Sequence, residues 1–150
     1  MGREYLIGEA VNMKFARNIK IGLEIKEKDK ILSKGHFVDD YHDFRCVIIF
    51  GLPQLEIIGA RVETNKLPKR GCRAPFDRFN GLRGLKVERG FRQKVKKIIG
   101  GDEGCIHLVD LIHEMGQGIV ALLRKAQMTP DGKEMKYFPS DTFFGKCIGL

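Results

Sequence analysis

The sequence predicts an α+β fold: an antiparallel sheet of about four strands followed by two to three helices packed on one face. Two observations carry this prediction. Apolar and polar residues alternate with a period of two up to about residue 63, and from about residue 87 they recur at three and four. The connections in the first half are also too short for crossovers, so successive strands return antiparallel.

Residues Met1 to Phe15 show little periodicity and read as an irregular lead-in. From Asn18 to Lys26 the alternation is clean, with Ile19, Ile21, Leu23 and Ile25 on one side and Asn18, Lys20, Glu24 and Lys26 on the other, which is the pattern of a half-buried strand. Glu27-Lys28-Asp29-Lys30 supplies the turn, and Ile31 to Val38 is the partner strand, interrupted by Gly35. Asp39, Asp40, His42 and Asp43 form a short acidic loop that contains an imidazole. The third strand has Phe44, Cys46, Ile48 and Phe50 on one face and Val47 and Ile49 on the other, so both sides are expected to be covered. Gly51-Leu52-Pro53-Gln54 makes a hairpin turn into a fourth strand, Leu55 to Glu63.

A loop by composition, Thr64 to Gly71, then delivers Cys72. Pro75 to Asn80 suits a short helix with Phe76 and Phe79 inward. In the next helix Val87, Phe91, Val95 and Ile98 share one face, and Gly100-Gly101 ends it with the left-handed backbone a C-terminus needs. A last helix starts at Asp102 or Gly104 and runs to about Ala126, with Cys105, Leu108, Val109, Ile112, Ile119 and Leu122 on its apolar face. Thr129-Pro130-Asp131-Gly132 turns the chain. The tail beyond, with Phe138, Phe143, Phe144 and Cys147, is apolar enough to pack back, so residues 1–150 are expected to form one domain, with 128–150 as its packed tail.

No stretch approaches the roughly 20 apolar residues of a membrane span, and the N-terminus lacks the apolar core of a secretion signal, which together predict a cytoplasmic protein without a membrane partner. The Met1-Gly2 start resembles a myristoylation signal, but Leu6 stands where Ser or Thr is wanted. Four scattered cysteines, with no Cys-x-x-Cys pair, predict reduced thiols or thiolates on a metal rather than a disulfide framework. The formal net charge of +8 favours an anionic ligand, nucleic acid or an acidic protein as partner. Lys66, Lys69, Arg70 and Arg73 flank Cys72, and Arg92 and Lys96 add charge on the first long helix. Nucleic acid is the less favoured of these partners, because stacking aromatics are not interleaved with the cations.

Cys72 after a strand and Cys105 at a helix start are the candidate metal ligands, with His42, His107 and Cys147 as possible further donors. Zinc and iron favour thiolate and imidazole, and a helix N-terminus is expected to lower a thiol pKa. Co-ligation by His107 requires the helix to begin at or after it, since two helical residues point about 200° apart. The competing reading is packing: buried cysteine behaves as a small apolar residue, as Cys46 in its strand does. A thiol enzyme using Cys105 with His42 or His107 is a third possibility, without an evident orienting residue. Gly100 to Gly104 is no phosphate loop, because Asp102 and Glu103 stand where the anion would sit.

His42, the strands around Val47 and Ile57, Pro68 with Cys72, Gly84-Leu85, Gly90-Phe91, Lys94-Val95 and above all Gly100-Gly101 with Gly104-Cys105-Ile106-His107-Leu108 resemble a bacterial family catalogued as domain of unknown function 2889. The likeness runs from roughly Arg17 to Leu123, and Cys147-Ile148-Gly149-Leu150 looks like that family's cysteine-bearing tail. It implies no activity. The order of the strand from Phe44 to Phe50, the strand from Leu55 to Glu63, Gly71-Cys72 and Cys105 is also similar to iron–sulfur scaffold proteins of the IscU and NifU type. That resemblance implies cluster binding, but Asp40, His42 and Asp43 stand where the scaffold's first cysteine belongs. The reading is a metal- or iron–sulfur-binding accessory or carrier protein, more a binder than an enzyme. The alternative is a metal-free module with a basic patch.

Overall fold

The computed structural model describes residues 13–134. Four strands, β1 (Arg17–Lys26), β2 (Lys30–Asp39), β3 (Asp43–Gly51) and β4 (Glu56–Lys66), form one antiparallel meander in the order β1-β2-β3-β4. A short helix α1 (Ala74–Asp77) lies between 3-10 turns at Arg70–Arg73 and Phe79–Leu82, and α2 (Phe91–Ile99) and α3 (Ile106–Ala126) complete the α+β architecture.

Period-two alternation has its physical outcome in a sheet with one covered face. Ile31, Phe37, Phe44, Cys46, Ile48, Phe50 and Ile57 point into the core, where they meet the apolar stripe of α3 and Phe79, Leu82 and Val87. α3 lies across β1 and β2, and the Phe79–Leu82 turn covers β4. The core residues of α3, among them Leu108, Leu111, Ile112, Met115 and Ile119, are wholly inaccessible. Gly35 lets the helix come this close, since a Cβ there would stand 2.7 Å from the Met115 sulfur. Among the described residues α3 is the one helix long and apolar enough to cross a bilayer by length and composition, although the sequence shows no run of 20 apolar residues.

Three expectations change. The outer face of β3 is not covered by a described helix: Val47 and Ile49 are half-buried by neighbouring strands while Arg45 is exposed. α2 begins at Phe91 rather than near Val87, because Lys86 bridges to Glu56 in extended backbone and Gly90 is left-handed at φ +85. α3 begins at Ile106 rather than at Asp102 or Gly104. The Cys105 amide bonds back to the Ile99 carbonyl at 2.9 Å and the Gly104 amide to Gly101 at 3.1 Å, so this loop closes α2 before α3 opens. The turn at Thr129–Gly132 is present, with the Gly132 amide on the Thr129 carbonyl at 3.0 Å. The tail carrying Cys147 lies outside the described residues.

Candidate functional site

The β2–β3 connection, the end of β4 and the start of α3 all lie at one end of the sheet, and four of the five candidate metal ligands lie on or just beyond these three segments. The β2–β3 turn is organised by Asp39, whose side chain is fully inaccessible. Its Oδ1 accepts the Tyr41 amide at 2.9 Å, the His42 amide at 2.8 Å and His42 Nδ1 at 2.9 Å. Its Oδ2 accepts Arg17 Nε at 3.0 Å and lies 2.9 Å from Nη2 in the same ion pair. Burial alone would raise this carboxyl, but the bonds from His42, Tyr41 and Arg17 outweigh it and hold it well below the usual carboxylate range. An ionised carboxylate only accepts, so the His42 Nδ1 that faces it carries a proton, and in the neutral tautomer compatible with this bond Nε2 carries the lone pair.

His42 is 8% exposed and its ring lies edge-on to His107, with centroids 4.6 Å apart. Phe37 stacks on His107 at 5.0 Å and meets His42 edge-on at 5.8 Å. Burial, then His42 and Arg17, lower the His107 pKa, so this ring is neutral at neutral pH. The structure thus brings the two histidines together at the mouth of the aromatic core.

The thiols form a second group. Cys105 immediately precedes α3 and is 8% exposed, Cys72 is half-buried in the Arg70–Arg73 turn, and Cys46 is core. Burial pushes the Cys105 thiol up, against the pull of the Leu108 and His107 amides, and Cys72 adds to the rise. The expected lowering at a helix start is therefore reversed: the desolvation of a buried thiolate exceeds what two free amides return. Cys46 is raised further, by burial and then by Cys105. With α3 starting one residue before His107, Cys105 and His107 serve different neighbours. Among the described residues, no three His, Cys, Asp or Glu side chains gather in a set able to hold a metal ion.

Lys66, Lys69, Arg70 and Arg73 line an open cleft of about 450 Å³ together with Thr64, Asn65 and Leu67. Lys66 Nζ also donates to the Asp40 carbonyl, which ties the cleft to the β2–β3 turn. Arg92 is elsewhere, in an ion pair with Asp110 at 2.7 Å, and Lys96 is exposed on α2; neither lines the cleft. Sequence reasoning missed Arg17 and the positioning role of Asp39. The signal was present: Asp39 follows Ile31, Ser33, Gly35 and Phe37 on the core face of β2, three residues before His42, a spacing suited to side-chain capping of a turn.

No curated protein and no solved structure matches the chain. The likeness to IscU- and NifU-type scaffolds receives no support from these comparisons. A family described as "Protein of unknown function (DUF2889)" matches residues 16–121, from β1 through most of α3. With that match covering well over half of its length, the chain belongs to this family.

Proposed function

We propose that this end of the sheet binds a transition metal ion, zinc or iron, and that the protein acts as an accessory or carrier for it. The observation that carries the reading is the Asp39–His42 pair. A buried carboxylate accepting the Nδ1 proton is the arrangement that orients a ligating histidine and frees its Nε2 for a metal. His107 stands beside it, and Cys105 and Cys72 supply the thiols that these metals favour. Asp39 accepts four hydrogen bonds and a further ion-pair contact from Arg17, so its role toward His42 is to position the ring. The Cys105 thiol, raised by burial, would give up its proton only as metal binds, so uptake would release protons. Three donors do not converge among the described residues, and binding therefore needs a shift of Cys72 or Cys105, or a donor such as Cys147 from outside them.

The test is metal content by mass spectrometry, with an absorption spectrum, on the untagged full chain purified without oxygen and then titrated with Co(II). Near-stoichiometric zinc or iron, and tetrahedral cobalt bands lost in a His42→Ala/Cys105→Ser variant that keeps its circular dichroism, would bear the proposal out. A full chain that retains no metal, shows no cobalt bands and keeps all four thiols equally reactive with and without zinc would overturn it.

A further inference from the structure

The described residues include six exposed large hydrophobic side chains, and most lie near the β2–β3 end of the sheet. Phe15 and Tyr41, 55% and 59% exposed, stack on each other at 6.4 Å. The Arg17 guanidinium sits 5.2 Å over Phe15 and 5.0 Å over Phe37, the ring that packs on His107. Ile19 is exposed beside Phe37 in register, and Ile106 is exposed next to His107. Isolated exposed hydrophobics are ordinary; several around one polar site mark an interaction surface.

The Lys66–Asp40 bond links this collar to the cleft. Asp40, next to Tyr41, takes the Lys66 ammonium on its carbonyl, and Lys69, Arg70 and Arg73 follow. Those three form no ion pair among the described residues, and the carboxylate of Asp40 is the one acid on the turn without a bonded cation or imidazole. The face is thus apolar and aromatic at one side and unneutralised cationic at the other. The chain's own end segments are weak complements, since residues 135–150 carry Lys136 and Lys146 against Asp141, and residues 1–12 have a single acid in excess, Glu4 and Glu9 against Arg3.

We infer that this face docks an acidic segment of a partner protein, one whose Asp and Glu residues enter the Lys66–Arg73 cleft while an aromatic or aliphatic side chain covers Phe15 and Tyr41. Aromatics and Arg with a charged rim are the composition of protein interfaces. A single nucleic acid strand needs aromatics interleaved with free cations along its path, whereas here the one cation among the aromatics, Arg17, is paired with Asp39 and the cleft cations lie apart from the rings. The inference stands apart from the metal reading: it uses neither His42 nor a thiol as ligand.

The experiment titrates the full chain, with zinc present and again with chelator, against fluorescent poly(Glu,Tyr) copolymer, poly-Glu and an oligo(dT) strand. We expect the copolymer to bind roughly tenfold more tightly than poly-Glu, and binding to fall steeply with salt. Lys69→Glu/Arg73→Glu and Phe15→Ser/Tyr41→Ser should each weaken it by roughly tenfold. Lys20→Glu/Lys34→Glu, an equal charge change on the outer sheet face, should leave it within about twofold. Equal binding of poly-Glu and copolymer, equal loss in the outer-face variant, or displacement of the copolymer by oligo(dT) at lower concentration would each overturn the proposal. All substituted residues are exposed, and circular dichroism checks the fold.

Discussion

At the β2–β3 end of the sheet a buried carboxylate, Asp39, collects Arg17, His42 and the Tyr41 amide, and two imidazoles meet at 4.6 Å. At the opposite end, where β1 turns into β2 and β3 into β4, the polar groups are exposed pairs such as Lys30–Glu27 at 3.2 Å, and what is buried is Phe50, Leu55 and Ile57. Desolvating a carboxylate costs several kcal/mol unless its partners are in place, so a fold that needs only stability has little reason to bury one. Hydrophobic contact suffices at the plain end. The polar end thus carries a desolvation cost that packing alone does not require, and substitutions at the two ends separate their roles.

The largest effect belongs to the plain end. Phe50→Ala, at a side chain with no exposure, should cost roughly 4 kcal/mol in urea unfolding. Metal content and copolymer affinity per folded molecule should not change. If either falls with it, the two ends are coupled and the contrast fails. Asp39→Asn comes next, at about 2–3 kcal/mol, because the uncharged amide cannot satisfy both the guanidinium and the imidazole. Here metal retention should fall together with stability, which is the signature that Phe50→Ala lacks. Loss of stability with unchanged metal content would leave Asp39 a structural residue only.

How much of this was legible follows from the same contrast. The strands were readable because only one face of the sheet is covered, so alternation survives in Ile19 to Ile25 and in Phe44 to Phe50. The helix starts were not, because Lys86 is claimed by a long-range bridge to Glu56 and the Cys105 amide by the Ile99 carbonyl six residues back, bonds that no periodicity encodes. His42 and His107 were legible as candidates, but their meeting depends on α3 crossing β2. Arg17 was within reach: a turn that pairs Lys26 with Lys30 puts Arg17 opposite Asp39 nine residues back. The Cys105 thiol went the other way from its helix-dipole expectation because burial is a tertiary quantity.

Midway along α3, His113 provides a smaller, pH-dependent probe. Burial and then Arg92 lower its pKa from the ordinary 6.5, with Glu114 and Asp110 opposing, and its Nδ1 is buried without a partner among the described residues. A histidine depressed in the folded state stabilises fully above its unfolded value, and the contribution is lost as pH falls through that value toward the folded one. Stability should therefore decline as pH drops below about 6.5, and His113→Leu should flatten that part of the curve. An unchanged slope in urea titrations across this window would assign the decline to other groups.

The smallest effects test the two ends through the backbone alone. Left-handed residues occur at both: Gly101 at φ +79 in the loop before α3, and Lys28 at φ +68 in the β1–β2 turn. A Cβ at Gly101 meets nothing within 4 Å, so Gly101→Ala pays only for its torsion, about 1 kcal/mol. At Lys28 that torsional cost is already present, and Lys28→Gly removes it while adding freedom to the unfolded chain, for a net gain of about 0.5 kcal/mol. Opposite signs in urea midpoints are thus expected. Because neither change adds or removes a ligand or cleft cation, both variants should hold metal and copolymer as the parent does; a loss in Gly101→Ala alone would mean that the loop ahead of Cys105 sets the geometry of the site, and would extend the polar end of the comparison by five residues to include it.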